Sequence, residues 1–232
     1  MMYQWTPEMV KFMRDASAYS DYHAHLAALM APWLTKDTHI CDAGCGLGDL
    51  CVALAPYAGH VTAVDLNAAA LGVLEEKAVP NVTARLGDIA KLPPETPYDA
   101  MVFCFFGGIE EILNLSKAQC RGDVFVISRN YTTHRFSLRE HPTGNYGFRR
   151  AKEVLAERGI PFQAQELELE LGQPFRSWED ARQFFSLYSL DDDEITDEFL
   201  AGKLVKGDGE FPWYLPHLRK LGFLHFFTED IV

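Results

Sequence analysis

Apolar and amphipathic positions between residues 7 and 31 recur at helical spacing. Met9, Phe12, Met13, Ala16, Tyr19, His23, Leu26 and Met30 fall near i, i+3, i+4 and i+7 and form one stripe. Pro7 suits a first helical turn and Pro32 an end, so one helix is predicted over 7–31. Beyond it the period shortens. Apolar runs at 39–43, 60–65, 82–88, 98–106 and 123–128 read as strands, and 49–57, 68–77 and 109–118 between them read as helices. The run 98–106 is apolar almost throughout, as expected of a central parallel strand covered on both faces. Strands and helices alternating at this spacing predict a doubly wound α/β sheet.

The alternation breaks after Ser128. Residues 129–145 read as a long polar loop with aromatic interruptions, and such a loop leaving a strand end is usually functional. A helix over 146–158 is closed by Gly159, and 162–171 alternates as a strand with one wet face. Ser177 caps a helix over 178–188. The acids Asp191, Asp192, Asp193 and Glu194 read as a solvated cap in front of a helix over 194–205. A short helix at 216–221 and a last strand at 223–229 complete the chain. No repeat or linker divides it, so 232 residues make one domain.

Composition narrows the partners. A net charge of −12 repels phosphate backbones, so no nucleic-acid substrate is expected. The cluster Arg149, Arg150 and Lys152 reads as a solvated helix face. Cys41, Cys45, Cys51, Cys104 and Cys120 are odd in number and form no CxxC pair, which predicts reduced thiols, no metal site and a cytoplasmic protein. No signal peptide or membrane span is visible.

The candidate chemistry lies at a glycine turn. Glycines at 44, 46 and 48 follow the first strand and open a helix, which lets backbone approach a ligand. Asp65 closes the second strand, where a carboxylate can accept from both hydroxyls of a ribose. Asp88 with Ile89 closes the third, placed for an adenine amine. A dinucleotide site wants a third glycine where this chain has Asp49, whose charge opposes a pyrophosphate. A phosphate-free cofactor with a sulfonium and an amino-acid end meets no such objection, and Asp42 can face its ammonium.

Residues 42–48, Asp-Ala-Gly-Cys-Gly-Leu-Gly, resemble the first motif of the class I S-adenosylmethionine-dependent methyltransferases. Val64-Asp65-Leu66, Leu86-Gly87-Asp88-Ile89 and residues 98–104 resemble the following motifs in the family's order and spacing. The resemblance implies a Rossmann-like, mostly parallel seven-stranded sheet with an antiparallel last strand. It divides the chain into an N-terminal helical cap (1–36), a cofactor-binding core (37–171), an acceptor-side insertion (172–222) and the last strand (223–232). S-adenosylmethionine is then expected on Asp42, Ala43, Gly44, Cys45, Gly46, Asp65, Leu66, Asp88, Ile89 and Cys104, with Tyr22 closing over it.

The acceptor is expected to be a small molecule, as in the family's small-molecule branch. After the fourth strand Phe103-Cys104-Phe105-Phe106-Gly107-Gly108 lacks the Asn/Asp-Pro-Pro-Tyr/Phe signature of enzymes that methylate base amines or glutamine. An apolar setting makes Cys104 a structural thiol rather than a nucleophile. His134 in the post-strand loop is the candidate general base, because histidine titrates near neutrality. Tyr19, Phe105, Phe106, Arg129, Tyr131, Trp178 and Trp213 are candidate acceptor contacts, and Arg135 joins Arg129 and Tyr131 as a grip for an acidic acceptor. The rivals are a nicotinamide-dependent oxidoreductase, a non-catalytic cofactor-binding partner, and non-methyl chemistry on the same fold.

Overall fold

The computed structural model describes residues 5–134, 136–142 and 147–231. Its helices are α1 (Pro7–Ala18), α2 (Tyr22–Met30), α3 (Asp49–Leu54), α4 (Ala68–Glu76), α5 (Ile109–Gln119), α6 (Gly147–Glu157), α7 (Trp178–Tyr188) and α8 (Asp197–Lys203). The strands begin with β1 (His39–Ala43), β2 (His60–Asp65), β3 (Val82–Leu86), β4 (Tyr98–Cys104) and β5 (Cys120–Arg129). They continue with β6 (Gln163–Glu170), β7 (Gln173–Phe175), β8 (Val205–Asp208), β9 (Phe211–Leu215) and β10 (Leu218–Phe227).

Seven strands form one sheet in the order β3-β2-β1-β4-β5-β10-β6. β1 to β5 run parallel, and β10 enters antiparallel between β5 and β6. Side-chain alternation along β4 sets the two layers: Met101 and Phe103 pack toward α5 and α6, whereas Ala100 and Val102 pack toward α2 and α3. This is the Rossmann-like sheet that the alternation of strands and helices predicts.

Four expectations shift. The helix over 7–31 is two helices, because Ser20 intervenes: its hydroxyl accepts from the Tyr22 amide at 3.1 Å and donates to the Glu170 carbonyl at 2.9 Å. A serine that offers the backbone an alternative partner ends a helix. The helix over 194–205 shortens to α8, because Thr196 caps it by accepting from the Phe199 amide. Of the acids before it, Asp192, Asp193 and Glu194 are exposed as expected, whereas the Asp191 side chain is only 3% exposed.

No helix forms at 216–221. Leu221 to Phe226 are buried between β5 and β6, and their pairing extends β10 back to Leu218. β10 therefore starts at Leu218, ahead of the last strand expected from 223. Residues 173–215 supply a second sheet, β7-β9-β8, packed with α7 and α8 around Phe175, Phe184 and Phe185.

β10 is fixed by close approach. A Cβ on Gly222 would lie 1.9 Å from Cγ of Phe148 on α6. Gly222→Ala is expected to destabilise the fold by about 3 kcal/mol through overpacking. Urea unfolding checks it; a loss under about 1 kcal/mol would mean that α6 does not seat on this strand.

Candidate active site

The turn from β1 into α3 uses the left-handed backbone that its glycines permit, with φ of +73° at Gly44, +56° at Gly46 and +72° at Gly48. The Gly44 and Cys45 amides both donate to the Val64 carbonyl, at 2.8 and 3.0 Å. The Asp65 carboxylate accepts from the Gly46 amide and from the Asn67 amide, each at 2.8 Å. The acid at the end of β2 thus holds the turn at the end of β1.

Aromatic side chains lie directly over the turn. A Cβ on Gly44 would sit 2.7 Å from Phe106, and one on Gly46 would sit 3.3 Å from Trp5. Phe106 follows Phe105, whose φ of +56° puts a non-glycine residue in the left-handed region. That conformation costs roughly 1 kcal/mol, and strain of this kind clusters where geometry serves a ligand. β4 therefore stops at Cys104, two residues short of the predicted strand end.

Asp42 is 1% exposed. One of its oxygens accepts from the Cys51 thiol at 3.0 Å, and Oδ1 is buried without a partner. Burial pushes the carboxyl up to about 6, partly offset by the Cys51 hydrogen bond and reinforced by the Asp65 charge. The Tyr22 hydroxyl is likewise buried without a partner, and burial raises it. Buried polar groups are normally paired, so orphans facing a cavity point to a ligand.

Two cavities meet at the turn. One of about 340 Å³ is lined by Asp42, Gly44, Cys45, Gly46, Tyr22 and Cys104, with Phe105 at its edge. The other, about 490 Å³, is lined by Asp65, Leu66, Asp88 and Ile89 with Gly44 and Phe106. The candidate cofactor residues are thereby gathered around one turn, except that Ala43 is wholly buried beneath it. The Asp88 carboxylate also caps the Ala90 amide at 3.0 Å, and the Lys91 ammonium beside it holds it below the usual range. Asp49 forms an ion pair with Lys77 at 2.7 Å, which neutralises much of the repulsion that sequence reasoning assigned to it.

A third cavity of about 300 Å³ adjoins the first through Trp5, Met13, Phe105, Leu171 and Arg219. Phe136, Phe184 and Tyr188 make its far walls. Asp191 positions Phe136: its carboxylate accepts from the Leu138 and Arg139 amides at 2.7 and 3.1 Å and pairs with the His141 ring at 2.7 Å. The loop after β5 thus brings an aromatic ring to the chamber.

Several expected acceptor residues lie elsewhere. His134 bonds to the Ser137 hydroxyl at 2.8 Å and lines a separate cleft with Pro216 and His217, so it does not line the cavities at the glycine turn. Burial also lowers its pKa. Tyr19 packs on Phe211 and Tyr214 at 5.7 and 5.2 Å, which fastens α1 to the small sheet. Trp178 and Trp213 pack edge to face at 5.3 Å, half-buried against the core of that unit. Arg129 is exposed at the end of β5, and neither it nor Tyr131 lines these three cavities. Arg135 lies outside the described residues.

His23, a polar tip on the N-terminal helical stripe, lines the first cavity, and Trp5, Met13 and Arg219 wall the cavities although nothing in the sequence marked them. His23 is neutral near pH 7, because burial lowers it to about 4. Burial raises the Cys104 thiol, as expected of a structural cysteine, and all five cysteines are free. Among the described residues no group of three His, Cys, Asp or Glu side chains could hold a metal.

Residues 40–119 match the family described as "Methyltransferase domain". A sequence comparison with curated proteins returned no match. Among solved structures, the YcgJ protein from Bacillus subtilis is 15% identical with a TM-score of 0.55, over 88% of this chain and 97% of that one. The precorrin-6y C5,15-methyltransferase from Geobacter metallireducens is 14% identical with a TM-score of 0.52, over 87% and 86%. The precorrin 8w decarboxylase of Methanobacterium thermoautotrophicum is 18% identical with a TM-score of 0.52, over 87% and 89%. At these identities the likeness is one of fold. The domain match spans β1 to α5, so residues 40–119 are similar to a methyltransferase domain, and they sit on a seven-stranded Rossmann-like sheet whose fold these solved structures share.

Proposed function

We propose that the protein uses S-adenosylmethionine to methylate a small, largely apolar molecule. The observation that carries this reading is the orphaned Asp42 Oδ1, buried beside the glycine turn where an ammonium can meet it. The cradle supports the same reading, because any side chain at Gly44 would take space that Phe106 already fills.

When bound, the cofactor supplies an electrophilic methyl carbon on a sulfonium. Asp65 would turn from the Gly46 and Asn67 amides toward the ribose, with Leu66 and Ile89 as apolar walls for the adenine. Asp42 and Tyr22 would hold the amino-acid end. Phe105 stands between that cavity and the aromatic chamber, so it would orient the acceptor toward the methyl. Positioning of this kind can supply much of the acceleration of an in-line displacement. With His134 in another cleft, we infer that an acceptor proton leaves to water or to the acceptor's own basic group.

The small volume of the chamber and the net charge of −12 support a small-molecule acceptor over a nucleic acid. No described helix is long and apolar enough to cross a membrane.

Isothermal titration should show the demethylated cofactor binding and NADH not binding. Asp65→Ala should weaken the former about 10- to 100-fold, the loss expected when a charge-assisted pair is removed. Tight NADH binding without S-adenosylmethionine binding would favour the oxidoreductase. Demethylated cofactor formed with a metabolite extract, and none with Asp65→Ala, excludes a non-catalytic partner.

Asp42 gives a pH signature. Its folded value near 6 lies above the ordinary carboxyl value of 3.8, so its contribution to stability is full below about pH 4 and lost as pH rises through about 6. Asp42→Asn should stabilise the ligand-free protein by about 2 kcal/mol at pH 7.5 and by almost nothing at pH 4, measured by thermal unfolding. The same variant should bind the demethylated cofactor at least tenfold more weakly. An unchanged pH profile would remove Asp42 as the titrating group.

A further inference from the structure

Among the described residues Arg219 is the one charged side chain lining the aromatic chamber, and it borders the Asp42 cavity as well. It stands near the start of β10, in register with Leu169 of β6, with its guanidinium carbon 5.6 Å from the centre of the Tyr22 ring. Its Nε is buried without a hydrogen-bond partner. No described carboxylate forms an ion pair with it, whereas Arg14, Arg121, Arg158, Arg176 and Arg182 all have such partners. The neighbouring cavity residue His23 is uncharged near neutral pH.

A half-buried cation with its Nε shielded from water and unpaired is costly, and a guanidinium presents a planar fork that matches a carboxylate. The surrounding walls are aromatic and offer little else to fix the orientation of a ligand. Resting on the methyltransferase reading above, we propose that Arg219 seats a carboxylate of the methyl acceptor, so that the acceptor class is a small aromatic carboxylic acid. The flat body of such a molecule packs among Phe105, Phe136, Phe184 and Tyr188 while its anion meets the guanidinium. The α-carboxylate at the amino-acid end of the cofactor is the other source of the same chemistry, because Arg219 borders both spaces.

The test is ligand-observed NMR titration of the full chain with phenylacetate and indole-3-acetate, each against its primary amide, with and without saturating demethylated cofactor. The acids are expected to bind at least tenfold more tightly than the amides. Arg219→Met should abolish that preference and Arg219→Lys should retain part of it. The affinity of the Arg219→Met protein for demethylated cofactor, measured by calorimetry, should change less than threefold. Equal binding of acid and amide to the unaltered protein, or no binding of either, overturns the proposal without any variant. A tenfold or greater loss of cofactor affinity in Arg219→Met also overturns it, since the carboxylate served is then the cofactor's. Failure of the unaltered protein to bind demethylated cofactor would instead sink the methyltransferase reading, and the acid–amide comparison without cofactor would still judge Arg219.

Discussion

A carboxyl group held out of water at the end of β1, with one oxygen unpaired, is the constraint on which the site depends. Asp42 can be placed there only because the backbone turns away at once through Gly44, Gly46 and Gly48. That turn is held in turn by Asp65 on the neighbouring strand. Cys51, in the first turn of α3, supplies the only hydrogen bond that the Asp42 carboxylate receives among the described residues. The arrangement is destabilising while the carboxyl is ionised and becomes favourable when a cation arrives, which is how a binding site differs from a core.

The cofactor half of the molecule was legible because its signals are local. The β1 turn, the acids ending β2 and β3 and the apolar run of β4 each lie within a few consecutive residues, and parallel strands buried on both faces read plainly. What was not legible depends on pairing over long sequence distances. Leu218 to Leu221 carry no strand pattern of their own and become strand only because β5 and β6 lie on either side. The β7-β9-β8 sheet is built from short segments of mixed periodicity, so residues 205–215 showed no strand signal.

The chamber walls illustrate the same limit. Trp5 precedes the first helix and Arg219 follows the last loop, yet both border the turn at residues 44–48. Nothing in their sequence neighbourhoods distinguishes them from Trp178, Trp213 or Arg129, which lie elsewhere. His134 drew attention because histidine titrates near neutrality, but its loop is pinned by Asp191 so that Phe136 faces the chamber instead. The acidic run that read as a solvated cap thus shapes the aromatic chamber through one buried member.

In the proposed function the cofactor lies across the ends of β1, β2 and β3 with its ammonium on Asp42. A crystal structure with the demethylated cofactor bound tests this most directly. It is expected to show the ribose hydroxyls on Asp65, the adenine between Leu66 and Ile89, and the ammonium within hydrogen-bond distance of Asp42 Oδ1. A cofactor bound elsewhere, or bound here with Asp42 Oδ1 still unpaired, would contradict it.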